Sequence, residues 1–109
     1  MTYQAPDYGN SGLNLISSIA GHLGVPPVHP TLPRADELLQ GKRYQNIVVM
    51  LFDGMGVDLL RHALPEGGFL MDHLDRPLSA VYPSTTTNAT SCIECGLSPR
   101  EHGWIGWTL

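Results

Sequence analysis

Hydrophobic positions recur with two periods along this chain, and the periods divide it in two. Over residues 11–23, Leu13, Ile16, Ala20 and Leu23 fall on one face of a 3.6-residue period, with Leu15 and Ile19 beside it. This predicts a helix that stops at Gly24. The preceding residues 1–10 are polar and contain Gly and Pro, which predicts a loosely held start. Pro26, Pro27, Pro30 and Pro33 make residues 24–33 an extended connector. A short helix over Ala35–Gln40 is expected to end at Gly41.

The pattern then changes. Ile47-Val-Val-Met-Leu-Phe52 is apolar without alternation and rich in β-branched residues, as a strand buried on both faces of a parallel sheet would be. Asp53-Gly54 ends it. Val57–Ala63 predicts a helix, Pro65–Gly68 a break, and Phe69–Leu74 one or two further helical turns. Leu78–Tyr82 predicts a second strand closed by Pro83, and a helix should follow to Cys95 with Gly96 as its terminator. Two strands separated by helical sequence form a βαβ pattern, so the expected class is α/β with a right-handed crossover. Residues 1–43 read as an N-terminal helix and proline-rich lead-in, and 44–109 as part of a catalytic core. Two or three strands cannot make a covered parallel sheet. The sequence also ends on the apolar Gly103-Trp-Ile-Gly-Trp-Thr-Leu109. The expectation is therefore a domain that continues past Leu109, with a small complete α/β domain as the alternative.

Composition narrows the function. At 42% hydrophobic and 15% charged residues the chain is globular rather than disordered. Its net charge of −4 and lack of a basic stripe argue against a nucleic-acid partner. No run approaches the ~18 apolar residues of a membrane span, and residues 1–8 lack the basic and apolar regions of a secretory signal. Cys92 and Cys95 are too close together to staple a fold. These features predict a cytoplasmic protein that engages neither membrane nor nucleic acid.

Candidate chemistry lies where the strands end. Ligands bind at the carboxyl ends of strands in open α/β sheets, and Asp53 stands there with Gly54 and Gly56 leaving room for close approach. Its hard carboxylate oxygen suits a divalent cation, although a turn or cap aspartate reads the same way. Pro83-Ser-Thr-Thr-Thr-Asn88 follows the second strand as Asp53 follows the first. Hydroxyls at a helix N-terminus can bind an anion or serve as a nucleophile, or simply cap the helix. Thr87, Asn88, Thr90, Ser91 and Cys92 are poor helix formers, each roughly 0.5 kcal/mol worse than Ala, so tertiary packing must impose that helix. Cys92-Ile-Glu-Cys95 has redox or zinc spacing, but both cysteines fall late in the helix and no second ligand pair exists. Small packing residues are the better reading.

Taken together, Phe52-Asp53-Gly54, Tyr82-Pro83-Ser-Thr-Thr86 and Gly96-Leu97-Ser-Pro99-Arg-Glu-His102-Gly103 resemble the alkaline phosphatase superfamily, in particular its nucleotide pyrophosphatase/phosphodiesterase branch. The resemblance covers residues 44–107. It implies the N-terminal part of a three-layer αβα domain with a mainly parallel sheet. It also implies a hydrolase with two divalent metal ions, zinc above all, acting on a small-molecule phosphoester or nucleotide. Asp53 would ligate one metal. Thr86 would be bound to that metal and attack phosphorus, and Asn88 is the substrate-binding candidate. The family's asparagine stands one residue later, where this chain has Ala89. The family's remaining Asp and His ligands lie downstream of the motifs present here, so a non-catalytic chain, or a subunit completed by another chain, is the alternative, with a CxxC redox or zinc module behind it.

Overall fold

The computed structural model describes residues 4–107. Among the described residues six helices follow one another: α1 (Gly12–His22), α2 (Pro33–Leu39), α3 (Val57–Ala63), α4 (Phe69–Asp72), α5 (Thr86–Cys95) and α6 (Pro99–His102). α1 packs against α2 and α5, and α5 packs against α6.

The first helix starts where the pattern places it, but it buries a neighbouring stripe. Its buried residues are Leu13, Asn14, Ser17 and Ser18, whereas Ile16 and Ala20 are half-buried and Leu23 is exposed. The proline-rich connector explains this. Its backbone cannot bond to itself, so α1 supplies the partners. Asn14 Nδ2 donates to the Pro30 carbonyl at 2.9 Å. Ser18 Oγ accepts from the Leu32 amide at 2.8 Å and donates to the Leu32 carbonyl at 3.2 Å. Buried backbone groups need such partners, and the polar face of α1 is drawn inward to provide them. Asn14 Oδ1 also accepts from the Ser11 amide and hydroxyl, at 3.0 and 2.7 Å, closing the N-terminus of α1.

Two helices differ in extent from the sequence pattern. Pro33 opens α2 rather than ending the connector, because a helix N1 position has no need of the missing N–H. Residues 99–102, to which the hydrophobic pattern assigns no element, form α6. Ser98 and Glu101 build a capping box around it, and Pro99 stands at its first position. The Ser-x-x-Glu spacing was the available signal.

The expected α/β fold is not observed. Among the described residues there is no sheet, and the mainly parallel three-layer arrangement is absent. Residues 46–52 run without helix, turn or bend and make no backbone hydrogen bond among the described residues. Of Leu78–Tyr82, only Ser79 makes an isolated parallel bridge, to Ser11, in which the Ser79 amide donates to the Asn10 carbonyl at 2.8 Å. A strand is defined by its neighbours, since each ladder bond needs a facing chain. No described residue pairs with the backbone of 46–52. Val48 is 81% exposed and Met50 75%. The buried apolar side chains are instead Leu13, Leu32, Ala35, Val81 and Cys92, gathered under the helices.

Of residues 1–10, residues 1–3 lie outside the described residues. The remainder is tied down by the Asp7 amide, which donates to Ser79 Oγ at 2.9 Å. At the other end, residues 108–109 lie outside the described residues. Trp104, Ile105 and Trp107 are exposed. No helix is long and apolar enough to cross a membrane among the described residues.

Candidate functional site

Asp53 and Thr86 are 33 residues apart in the chain, yet Thr86 Oγ1 donates a hydrogen bond to Asp53 Oδ1 at 2.9 Å. Local geometry sets up each end. Gly54 takes φ +63, which a side chain would resist, and the resulting turn directs Asp53 out of the preceding segment. Thr86 is the first residue of α5, after Thr85 at the N-cap. Its hydroxyl therefore lies beside the free amides of the first helical turn, the positive end of the helix dipole.

The four consecutive hydroxyls are distinguished by their partners. Thr86 alone among them bonds to a carboxylate. Thr85 Oγ1 is 3.5 Å from the Ile105 carbonyl. Thr87 Oγ1 is buried without a partner among the described residues. Asp53 and Thr86 are both exposed, so a ligand can reach them.

Asn88 lies elsewhere. It is fully buried, and its Nδ2 donates to the Pro83 carbonyl at 2.6 Å. The Tyr82–Pro83 peptide is cis. Asn88 thus ties the first turn of α5 back to the loop that carries the hydroxyls. Its Oδ1 is buried without a partner among the described residues.

A cavity of about 640 Å³ opens beside the pair. Val49, Leu51, Phe52, Ala80, Ala89 and Ile93 give it an apolar wall. Asp53 and Glu94 are its charged lining residues, and no Lys, Arg or His lines it. A second Thr–Asp contact, Thr31 Oγ1 to Asp36 Oδ2 at 2.6 Å, borders a cavity of about 690 Å³ between α1 and α2. Those residues are five apart and close the entry to α2, so local structure accounts for that contact.

The 2.9 Å contact is an ordinary hydrogen bond that brings one carboxylate and one hydroxyl together. A two-metal centre takes about six protein ligands. No group of three His, Cys, Asp or Glu converges among the described residues. Two of the expected ligands are therefore together in this chain, and its described residues alone do not fit a bimetallic centre.

The turn 96–103 buttresses α5. Gly96, at φ +68, closes the helix in the left-handed conformation. The Trp104 amide donates to His102 Nδ1 at 2.9 Å, and His102 Nε2 lies 3.2 Å from Cys92 Sγ. An accepting Nδ1 leaves the proton of a neutral ring on Nε2, which then donates to sulfur. Cys92 is 1% exposed, and burial pushes its thiol up to about 11, with Cys95 adding to the effect. A thiol held protonated in this way is a poor nucleophile. Both cysteines are free: Cys92 is buried and Cys95 exposed, its Sγ donating to the Ser91 carbonyl at 2.8 Å. In α6, Glu101 Oε2 accepts from the Ser98 hydroxyl and amide, both at 2.7 Å, and contacts His29 Nε2. These donors, the Ser98 hydroxyl first, hold its carboxyl down to about 2.

No protein-family model, curated protein or solved structure matches this chain.

Proposed function

We propose that Asp53 and Thr86 form the nucleophile end of a phosphoester hydrolase site. The reaction is that of the nucleotide pyrophosphatase/phosphodiesterase branch of the alkaline phosphatase superfamily, whose three motifs this sequence resembles. The observation that carries the proposal is the 2.9 Å hydrogen bond from Thr86 to Asp53 at the N-terminus of a ten-residue helix.

In this reading Asp53 Oδ1 accepts the Thr86 hydroxyl proton as Oγ1 attacks phosphorus. The bond from phosphorus to the leaving oxygen breaks, that oxygen takes a proton from solvent and departs as the alcohol, and Asp53 gives its proton back to solvent; water then hydrolyses the phosphothreonine ester, releasing the phosphomonoester and restoring the hydroxyl. The amides of the first turn of α5 receive the non-bridging oxygens. Asn88 holds the Pro83 loop so that Thr86 keeps its place. Where a divalent cation bound, Asp53 and Thr86 would hold it in place of their shared proton, and its charge would stabilise the threonine oxygen instead of proton transfer to Asp53. The two carboxylates and the absence of cations in the cavity favour a singly charged diester over a doubly charged monoester. The free thiols suit a cytoplasmic setting.

The test is covalent capture, which does not require turnover. The chain is incubated with an activated aryl phosphodiester, with and without zinc or manganese, and the adduct is located by peptide mass spectrometry. The expected adduct is on Thr86 and disappears in Thr86→Ala. Labelling of Ser84, Thr85 or Thr87, or no labelling at all, would overturn the assignment and favour a non-catalytic chain.

A further inference from the structure

Cys92 and Cys95 are the nucleophilic groups that the proposed site leaves unused. Both lie in the last turn of α5, three residues apart, and both are free. Their surroundings differ. Cys92 is buried, with its Sγ 3.2 Å from His102 Nε2. Cys95 is exposed, and its thiol donates to the Ser91 carbonyl at 2.8 Å. It is also the final residue of the helix, directly before the left-handed Gly96.

Helix geometry keeps the two thiols apart. Cβ atoms three residues apart on a helix are separated by about 5–6 Å, whereas a disulfide needs about 3.5–4.5 Å. The bond can therefore form only when the last turn of α5 unwinds. Little resists that. Thr90, Ser91 and Cys92 are poor helix formers. The turn is held by the Gly96 amide, which donates to the Cys92 carbonyl at 2.9 Å, and by the two thiol contacts.

We infer that Cys92 and Cys95 form a thiol–disulfide switch, whose closure unwinds the end of α5 and releases the 96–103 turn from it. Both partners of the bond lie in one helical turn, so closure needs no other chain. The oxidant is a low-molecular-weight disulfide. The Cys95 sulfur attacks one of its sulfurs, the S–S bond of the oxidant breaks, and the other half leaves as a thiol carrying the Cys95 proton. Cys92 then displaces the remaining half from Cys95, and that half departs with the Cys92 proton. Two protein thiols are oxidised to one disulfide, and one small disulfide is reduced to two thiols. His102 opposes the second step, because its contact holds Cys92 Sγ in the reduced arrangement. Burial of Cys92 opposes it too until the turn opens.

The switch stands independently of the proposed function, with one consequence that rests on it. His102 Nδ1 also accepts from the Trp104 amide, and the chain beyond reaches the hydroxyl loop, where Thr85 Oγ1 lies 3.5 Å from the Ile105 carbonyl. Oxidation would loosen that contact beside Thr86.

The whole chain is equilibrated with mixtures of reduced and oxidised glutathione, quenched in acid, alkylated and mapped by mass spectrometry. As the oxidised form rises, the peptide carrying both cysteines should lose two hydrogen atoms. Amide exchange at Gly96 should quicken roughly tenfold or more as its bond to Cys92 is lost. Cys92→Ser should stop at a glutathione adduct on Cys95, and Cys95→Ser should leave Cys92 unmodified. His102→Ala should favour closure about fivefold, the worth of one hydrogen bond. Circular dichroism of the reduced forms checks that each variant folds. A wild type that stops at the Cys95 adduct, that yields disulfide-linked pairs of chains, or that closes without faster exchange at Gly96 would overturn the inference. Capture at Thr86 in the reduced chain reads the proposed nucleophile alone. Its decline on oxidation in the wild type but not in Cys95→Ser reads the switch, so the two ideas fail independently.

Discussion

Replacing Asn88 separates a structural clamp from a substrate contact. In the native protein Nδ2 donates to the Pro83 carbonyl at 2.6 Å, while the buried Oδ1 has no partner among the described residues. Asn88→Ala removes a bond with a net value of about 1 kcal/mol, and it also removes an orphan acceptor whose burial costs about 1–3 kcal/mol. With a small void left behind, the expected loss is only about 1–2 kcal/mol. Asn88→Asp keeps the shape but replaces the donor by an oxygen facing another oxygen, and it buries a carboxylate. The loss at pH 7 should exceed about 3 kcal/mol. Burial raises the folded pKa of the introduced carboxyl above its unfolded value of about 3.9. The penalty is therefore absent below that value and grows as pH rises towards the folded pKa, because the protonated acid can donate to the Pro83 carbonyl. Urea unfolding followed by circular dichroism and tryptophan fluorescence measures both variants across pH. If Asn88 met substrate instead, both variants would keep native stability and lose only capture at Thr86. An Asn88→Asp protein within about 0.5 kcal/mol of wild type at pH 7 would refute the buried clamp.

Other consequences follow from the packing and the charges. Leu13→Ala removes one of the most buried apolar side chains and should cost about 2–5 kcal/mol in the same urea assay. In the native state iodoacetamide should label Cys95 quickly and Cys92 only after unfolding, which a peptide map with and without urea would reveal. Glu101 is held down to about 2 in the folded chain from an ordinary 4.5, so the stability it contributes is present above about 4.5 and lost as pH falls through about 2. Acid titrations of the melting temperature should therefore be flatter over that window in Glu101→Gln. Ser98→Ala should cost about 1 kcal/mol through loss of the α6 cap.

Much of the helical pattern was legible because its signals are local. Gly24, Gly41 and Gly96 mark stops, and the 3.6-residue period marks α1 and α3. The Ser98-x-x-Glu101 box that starts α6 was equally local. The poor helix formers of α5 predicted that packing would have to impose that helix. Its buried Asn88 and Cys92, held by the Pro83 carbonyl and by His102, provide that packing. Asp53 and Thr86 were legible as candidates because each follows an apolar run at a turn. Their contact was not, since it closes 33 residues of intervening chain.

Residue type and spacing by themselves determined where helices begin and end, which cysteines are too close to staple the fold, and which carboxylate and hydroxyls could do chemistry. These follow from backbone conformation and side-chain chemistry within a few residues. Tertiary structure decided the rest. The apolar run 46–52 has every intrinsic preference of a strand, but a strand exists only when a second chain completes its hydrogen bonds, and none does so within the described residues. The inward face of α1 was settled by the unmet backbone groups of the proline-rich connector rather than by its own hydrophobic stripe. Among four adjacent hydroxyls the family resemblance points to Thr86, and in the fold Thr86 is the one that bonds to Asp53. Periodicity reports what a segment can bury or bond, and its partners decide what it does.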